Sequence, residues 1–449
     1  MPYIWGAKWI CMWYIECIMT GMRYEGTEGK EHRNMDTQKN YVSNQQDADI
    51  FVRQLLNIGE AMYQSGGEIS RIENSLHRLG KAYGALHVNV YAITSSILIT
   101  VEFDENESVT QNRRITRRGS FDCVKMEKLN QLCRDCAACP IEVSELRERV
   151  LSILAEKPSL RKFYLGQLIA ATTFTLFFGG NGLDALVAGI AVLVICMLQK
   201  WVRPVFSTEL FFNVTCSLIT GIVVNLINLV IPGLHVNQIL IGDIMVLIPG
   251  IPITNSIRYI LSGDLISSFE KLMDSLMQTF GIAAGFMLSL LVIKGNLVDA
   301  SATYHTWERV VQLVAAALGT LGFCLIFNLR KKYIAVSTVG GFLCWGIFLL
   351  LQGHGLSIFV STLITAVLVG MYGELFAYLL KVPTTILFTL ACVPLIPGKN
   401  LYYSVLAIIS SNWADFTSNI VLLILYAVGI ALGLAMVVEL EQITKRGKV

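Results

Sequence analysis

The sequence predicts a polytopic α-helical membrane protein of about ten spans, arranged as two inverted five-span repeats with broken helices, plus a small α+β cytoplasmic N-terminal domain. Hydrophobic residues make up 54% of the 449 residues and charged residues only 15%, against about 25% in soluble proteins. The charges concentrate in residues 22–162, whereas residues 163–440 are nearly continuous apolar sequence. Within that apolar sequence the tetrapeptide Leu-Ile-Pro-Gly occurs twice, at residues 247–250 and 395–398.

The predicted chain has four parts. They are a poorly defined extension (1–44), a cytoplasmic α+β domain (45–160), a first five-span module (161–300) and a second five-span module (301–449). The first 20 residues are apolar but contain Lys8 and Glu16 and lack a small-residue cleavage site, so neither a signal peptide nor a span is well supported. Met22 or Met35 is an alternative start, which leaves open whether residues 1–34 are translated.

The α+β domain begins with helical periodicity over residues 47–85, interrupted by Gly66-Gly67. Alternating apolar residues over 87–103 predict one long strand or a strand pair. The remaining predicted elements are a strand at 113–121 and helices near 124–138 and 142–156.

A cysteine cluster lies in the same domain. Cys133, Cys136 and Cys139, with Cys123 upstream, form a CxxCxxC pattern that could bind zinc or an iron–sulfur cluster. The second CxxC of such a site is absent and the segment looks helical, so we interpret the cysteines as cytosolic thiols and predict no metal and no cofactor. The net charge of +2 gives no support for a nucleic-acid partner.

Ten apolar segments of membrane-crossing length follow Arg161. They lie near residues 163–179, 183–199, 209–231, 236–257, 275–294, 308–327, 333–351, 356–380, 383–406 and 417–439. If the N-terminal domain and the C-terminus are cytoplasmic, most loop Lys and Arg fall inside, and the outside loops hold only Lys294, Arg309 and Lys399.

The two halves are predicted to be inverted copies, because five spans in each half force the second half to enter the membrane upside down. The loop charges agree with this arrangement. In the first half, cations (Lys200 and Arg203) follow the second span, whereas in the second half they (residues 330–332) follow the first.

The two Pro-Gly breaks predict a transport site. A Pro-Gly pair interrupts a helix, and in lipid such a break is tolerated only beside a cavity or other protein. Matched breaks in two halves of a membrane protein therefore point to a substrate site. The candidate residues at and after the breaks are Leu247, Pro249, Gly250, Thr254, Asn255 and Arg258 in the first half, and Pro397, Gly398, Lys399 and Asn400 in the second.

Two acidic residues complete the candidates. Asp243 precedes the first break by four residues in an otherwise apolar span, which indicates a functional role or a carboxylate near the outer surface reached by interfacial water. Glu374, near the cytoplasmic end of its span, could shuttle protons or gate. Arg258 and Lys399 would suit an anionic substrate group beside the restarting helices, or they snorkel to the two surfaces, with Lys399 in a loop.

Three stretches carry a resemblance to a known family. The run SGGEISRIE at 65–73, the block LIPGIPITNSIR at 247–258 with SGD at 262–264, and VPLIPG at 393–398 resemble the ThrE-type threonine/serine exporters, over roughly residues 45–440. The resemblance implies a cytoplasmic N-terminal domain, about ten spans and proton-driven efflux of small hydroxy amino acids. Related two-subunit systems, in which the two modules are separate chains, are associated with succinate export.

We therefore expect a secondary exporter of threonine, serine or a similar small polar metabolite in the plasma membrane, and not an enzyme. Its expected partners are the small-molecule substrate, protons as the coupling ion and the lipid bilayer; homo-oligomerisation stays open. A succinate exporter would need both Arg258 and Lys399 in one cavity. A membrane-anchored hydrolase would need an acid/base pair near Glu68, Arg71 and Glu73, which better fit a solvated helix, and a sensor would not need broken helices.

Overall fold

A computed structural model describes residues 45–104, 107–115, 121–261, 263–293, 308–380 and 382–446. The predicted extension 1–44, Lys294 and the predicted module boundary at 300/301 lie outside the described residues. The described elements are numbered below in chain order.

The N-terminal region consists of four helices and one antiparallel sheet of order β1-β2-β3. Tyr91 lies opposite Leu98, and Val101 lies opposite Val109. The alternating segment is thus a hairpin pair, and the third strand lies earlier than the predicted 113–121. The elements are α1 (Gln45–Gln64), α2 (Ile69–Ala82), β1 (His87–Ile93), β2 (Ser96–Asp104), β3 (Glu107–Arg114), α3 (Cys123–Ala138) and α4 (Val143–Ala155).

The break between α1 and α2 falls at the predicted glycine pair. Gly66 has φ +94°, a conformation that glycine adopts without a steric cost. A Cβ on Gly67 would lie 2.8 Å from the carbonyl oxygen of Met62, so the chain turns too tightly there for a side chain. Both glycines therefore fix the direction in which α2 leaves α1.

Twelve further α-helices follow in the described residues. The first half contains α5 (Leu160–Phe177), α6 (Gly182–Trp201), α7 (Glu209–Val230), α8 (Val236–Leu247), α9 (Gly250–Leu261) and α10 (Leu265–Ile293). The second contains α11 (Glu308–Ile326), α12 (Lys331–Gly353), α13 (Ile358–Leu380), α14 (Thr384–Ala391), α15 (Gly398–Ile409) and α16 (Trp413–Arg446).

The number of candidate spans differs from the predicted ten. In the described part of the chain, seven helices are long and apolar enough to cross a membrane, or up to nine if each of two bent pairs is one span. The bent pairs are α8 with α9, at 55°, and α14 with the segment Val393–Ile409, at 49°. The predicted span at 163–179 is the helix α5, but its first turns carry Arg161, Lys162 and Gln167, which keep it out of this set.

The second half repeats the element order of the first at a nearly constant offset. Helix α9 begins at Gly250 and α15 at Gly398, which are 148 residues apart (398 − 250). The same offset separates the starts of α5 and α11 (308 − 160) and of α10 and α16 (413 − 265). The repeat thus extends over the whole membrane region and not only over the tetrapeptides.

Glycine pairs with the same offset pack the last helix of each half against the third. On α10, a Cβ on Gly285 would lie 2.4 Å from the carbonyl oxygen of Val214 on α7. On α16, a Cβ on Gly433 would lie 2.5 Å from the Cβ of Ala366 on α13. Gly281 and Gly429 lie one turn earlier in the same GxxxG pattern, which lets helix backbones approach closely in a membrane.

Candidate functional site

The two Leu-Ile-Pro-Gly segments form the same backbone turn. In the first, the N–H of Gly250 donates to the carbonyl of Ile248 at 2.9 Å, and in the second Gly398 donates to Ile396 at 2.8 Å. Both are three-residue turns centred on proline; Pro397 has φ −81° and ψ 44°, close to an inverse γ-turn. A new helix then starts at each glycine.

The two turns contact each other reciprocally. A Cβ on Gly250 would lie 2.5 Å from Cγ2 of Ile396, and a Cβ on Gly398 would lie 3.0 Å from Cγ2 of Ile248. Each contact is therefore made by the residues that the 148-residue offset relates. The helix that follows each turn packs against the last helix of the other half: α9 against α16, and α15 against α10.

A cavity of about 650 Å³ lies against this crossing. Its lining includes Pro249, Gly250 and Asn255 from the first break, and Ile396 from the second. Further lining comes from the N-terminal region, including Tyr63 and Thr94, and from α10, where Glu270, Lys271, Asp274 and Gln278 line the cavity. Both halves of the membrane region and the N-terminal region thus enclose one space.

The N-terminal region is held over this cavity by contacts to the first half. Glu68 pairs with Arg258 on α9, and the two side chains are 15% and 16% exposed. The hydroxyl of Thr94 donates to the carboxylate of Glu270, and the Lys271 amine lies 4.8 Å from the ring centroid of Tyr63. Glu68 also lies 3.6 Å from Arg71, but its pairing with Arg258 shows that the expectation of an ordinary solvated helix is wrong for this residue.

Contacts to the second half hold the other side of the N-terminal region. Glu127 on α3 accepts from Arg330 at 3.0 Å and from the Tyr333 hydroxyl at 2.9 Å. Asp122 caps α3 and also accepts from Asn328 at 3.1 Å. These residues join α3 to the connection between α11 and α12.

Glu73 lies on α2 and accepts from the N–H of Ala92 at 2.9 Å. Burial raises the pKa of its carboxyl, the N–H of Ala92 partly opposes this rise, and the charge of Asp264 adds to it. The carboxylates of Glu68 and Glu73 are thus each held by a neighbour, Arg258 for the first and the N–H of Ala92 for the second.

Some of the predicted site residues line the large cavity, and the others lie elsewhere in the membrane region. Pro249, Gly250 and Asn255 line the large cavity, whereas Thr254 and Arg258 line, with Asn255, a space of only about 20 Å³ behind α9. Pro397 and Gly398 are buried in the crossing, and Leu247 packs against a hydrophobic cluster that includes Ile239 and Tyr402. Among the described residues, the lining of the large cavity does not include the remaining candidates, Asp243, Glu374, Lys399 and Asn400.

Asp243 is fully buried on α8. Neither of its carboxylate oxygens has a hydrogen-bond partner among the described residues. An ionised carboxylate without donors is costly in a membrane interior. Asp243 is thus a buried acidic side chain in an apolar helix that the described fold does not satisfy.

The other polar candidates have separate neighbours. Glu374 accepts from the hydroxyl of Thr384 at 2.6 Å and thereby joins α13 to α14. Lys399 lies in the first turn of α15 and not in a loop, with its amine 5.5 Å from the Phe178 ring centroid and 5.8 Å from that of Tyr403. Asn400 makes a long contact of 3.4 Å with Asn419. Each of these residues therefore links helices outside the cavity.

The cysteines of α3 are packed into the N-terminal region. Cys133 and Cys136 are buried and Cys139 is exposed, and burial raises the pKa of Cys133 to about 12. In the described residues, no group of three or more His, Cys, Asp or Glu could hold a metal ion.

Sequence reasoning missed the contributions of α10 and of the N-terminal region to the cavity. Glu270, Asp274 and Gln278 recur every four residues, which places them on one face of a helix. This spacing was an available signal. No pattern in the sequence predicts the pairing of Glu68 with Arg258, although both residues lie in the segments that carry the family resemblance.

Crossed, discontinuous helices in a multi-pass membrane region are typical of membrane transporters. The comparisons with known proteins agree. The family described as "Putative threonine/serine exporter" matches residues 53–293, and "Threonine/Serine exporter, ThrE" matches residues 312–440. The chain belongs to the ThrE family of threonine/serine exporters.

Two curated relatives match most of the chain. The "Probable threonine/serine exporter" of Mycobacterium tuberculosis is 24% identical over 386 residues, covering 82% of this chain and 72% of the relative. The "Threonine/serine exporter" of Corynebacterium glutamicum is 20% identical over 394 residues, covering 84% of this chain and 80% of the relative. No solved structure matches the chain. The family and these relatives indicate an exporter rather than an enzyme.

Proposed function

We propose that this protein is a secondary active exporter of threonine, serine or a similar small polar metabolite across the plasma membrane. The observation that carries the proposal is the reciprocal crossing of Gly250 against Ile396 and of Gly398 against Ile248 beside a cavity of about 650 Å³. Substrate sites of secondary transporters lie where discontinuous helices of two repeats meet. The names of the relatives support the substrate class.

The proposed topology is two inverted five-span repeats, with α5 as the first span. The constant offset between the halves and the exchanged positions of the loop cations support this arrangement. The positive-inside rule then puts the N-terminal region and the end of α16 in the cytoplasm. In this topology the cavity opens toward the cytoplasm, as the loading state of an exporter requires.

Protons are the proposed coupling ion, and Asp243 is the proposed carrier. Its carboxylate is fully buried and has no hydrogen-bond partner among the described residues. A proton is the smallest ligand that can neutralise it without a change in the surrounding helices. Transient access of Asp243 to water from the other membrane face would then link proton entry to the movement of the crossed helices.

The placement of the cations does not favour a dicarboxylate substrate. Arg258 pairs with Glu68, whereas Lys399 lies over the rings of Phe178 and Tyr403. Neither the large cavity nor the small space behind α9 has both cations in its lining. Threonine or serine, with one carboxylate each, does not need that pair.

The test measures export in a deletion strain and in proteoliposomes. Deletion should raise intracellular threonine and serine but not succinate, and the wild-type protein should restore export. In proteoliposomes, Asp243→Asn should retain threonine counterflow but lose stimulation by a pH gradient, whereas the exposed control Asp415→Asn should behave as wild type. Threonine and serine export unaffected by deletion would refute the assignment, and gradient-driven export by Asp243→Asn would refute its role as proton carrier.

A further inference from the structure

A cation at the start of α15 lies against the end of α5. The Lys399 amine is 5.5 Å from the ring centroid of Phe178 and 5.8 Å from that of Tyr403. Residues 148 apart correspond in the two halves, so each of these three residues has a counterpart. All three counterparts line the cavity, namely Ile251 for the lysine, Ile326 for the phenylalanine and Asn255 for the tyrosine. The contact is thus built from the repeat counterparts of the cavity wall.

A second polar contact of α15 follows the same correspondence. The side-chain amide of Asn400 donates to that of Asn419 on α16 at 3.4 Å, which is long for a hydrogen bond from N–H to oxygen. Asn419 is itself positioned by donating to the carbonyl of Asp415 at 2.9 Å. The counterparts of the two paired amides also line the cavity, and they are Pro252 and Lys271. Both contacts therefore join residues whose counterparts face open space.

The end of α5 lies away from the N-terminal region. Helix α11 reaches that region at its own end, where the carbonyl of Phe327 accepts from the N–H of Cys123 at 2.9 Å. Gly166, near the start of α5, packs at the same place, because a Cβ on it would lie 2.8 Å from the backbone nitrogen of Ile326. Phe178 is twelve residues further on (178 − 166), or about 18 Å of helix. In the proposed topology, the contacts of Lys399 are therefore on the outer side.

The two sides carry different charges. The charged residues that α10 brings to the cavity have uncharged counterparts on α16, namely Ser418 for Glu270, Asn419 for Lys271 and Leu422 for Asp274. The other charged residues of the lining are Arg203 and Glu209, which pair with each other at 2.7 Å, and Arg114, which belongs to the N-terminal region and has no copy in the second half. On the outer side Lys399 supplies a cation where the inner counterpart is an isoleucine. A carboxylate is the ligand group that suits this cation, through a charge-assisted hydrogen bond.

We propose that the two contacts of α15 are the closed release side of the transport pathway, and that Lys399 binds the carboxylate of the departing amino acid there. This assignment rests on the proposed function and on its two inverted repeats. In such transporters one repeat moves against the other around a fixed site. The ring contacts of Lys399 and the long Asn400–Asn419 hydrogen bond would then separate as the cavity on the inner side closes.

The first experiment bridges the outer contact in the full-length protein. Asn400→Cys and Asn419→Cys are joined by a short, reducible bifunctional thiol reagent in right-side-out membrane vesicles loaded with labelled threonine. The bridge should abolish threonine efflux, leave threonine binding to the purified protein intact, and release efflux again on reduction. The control pair Asn412→Cys and Asp415→Cys, whose native side chains lie 2.7 Å apart just before and in the first turn of α16, should export equally with and without its bridge.

The second experiment measures affinity at each face of the same vesicles, from exchange of external labelled threonine and from efflux of internal threonine. Lys399→Gln should raise the external half-saturation concentration by about tenfold or more, as expected for one charge-assisted hydrogen bond, and leave the internal one unchanged. Threonine amide, which lacks the carboxylate, should compete from outside equally in wild type and in Lys399→Gln. Lys399→Arg should restore most of the external affinity for threonine.

The outcomes separate this assignment from the proposed function. Efflux that continues with the bridge between residues 400 and 419 in place would overturn the assignment of the release side. An external half-saturation concentration that Lys399→Gln leaves unchanged would overturn the role of the lysine, and an equal change at both faces would show that its role is structural only. Wild-type vesicles that export neither threonine nor serine would instead refute the proposed function.

Discussion

The ion pair between Glu68 and Arg258 should control how firmly the N-terminal region is held on α9. Two unit charges 4 Å apart attract by about 4 kcal/mol at an effective dielectric constant of 20, and desolvation offsets part of that gain. Exposed pairs contribute about 0.2–1 kcal/mol, and removing one partner of a buried pair costs about 3–5 kcal/mol. With side chains 15% and 16% exposed, we expect a coupling of about 2 kcal/mol, or roughly 30-fold in the contact equilibrium.

The measurement is amide hydrogen exchange of α2 and α9 in a double-mutant cycle of Glu68→Gln and Arg258→Gln. Each single variant should raise exchange of these helices by roughly 30-fold, because exchange follows the free energy of local opening. The double variant should exchange little faster than either single variant, since each already removes the pair.

A matched control uses the ion pair Glu145 with Arg149 on α4. Its two residues are four apart in the sequence, and the Arg149 nitrogen lies 2.6 Å from the Glu145 oxygen, but the side chains are 47% and 51% exposed. Its coupling should stay near about 0.3–0.5 kcal/mol. A Glu68–Arg258 coupling as small as that of the control would refute the claim that burial strengthens the contact.

Three further predictions concern packing, thiols and pH. Gly433→Ala should lower the melting temperature, because the added Cβ lies 2.5 Å from the Cβ of Ala366 and overpacking costs about 1–3 kcal/mol. The control Gly182→Ala should not lower it, because nothing lies within 4 Å of the added Cβ. At pH 8, Cys139 should react with a maleimide and Cys133 should not, because burial raises the pKa of the latter to about 12; rapid labelling of Cys133 in the folded protein would contradict this. Burial raises the pKa of Glu73 above its ordinary 4.5, so the unfolded state releases this proton first and stability should fall as pH rises from about 4.5 through the raised pKa. Urea denaturation of Glu73→Gln should lack that part of the pH dependence; an unchanged profile would show that the carboxyl is not perturbed.

Much of the fold follows from local patterns. The bounds of α1, α2, α3 and α4 lie within a few residues of prediction, because the periodicity of apolar residues and the Gly66-Gly67 pair act over short distances along the chain. The third strand was placed too late, since the edge strand 107–114 is mostly polar and shows little alternation. The seven to nine candidate spans of the described residues do not include α5, because its first turns are polar. The rest of α5 packs against α11.

The candidate site was predictable only in part. Pro249, Gly250 and Asn255 were found because a Pro-Gly pair in apolar sequence has few physical explanations. The α10 residues that line the cavity were missed, because a charged turn at the start of a long helix looks like an ordinary membrane boundary. Arg258 was expected to reach substrate or surface, and the structure instead pairs it with Glu68.

Hydropathy and backbone breaks are properties of short segments, so the apolar spans, the two helix breaks and the repeat at 148 residues could be predicted from local sequence. The contacts that those breaks make become visible only in the folded chain. It brings Gly250 against Ile396 and Gly398 against Ile248, and it closes the cavity with α10 and the N-terminal region. Such contacts join segments far apart in the chain, and they depend on how whole helices pack, which no local pattern specifies.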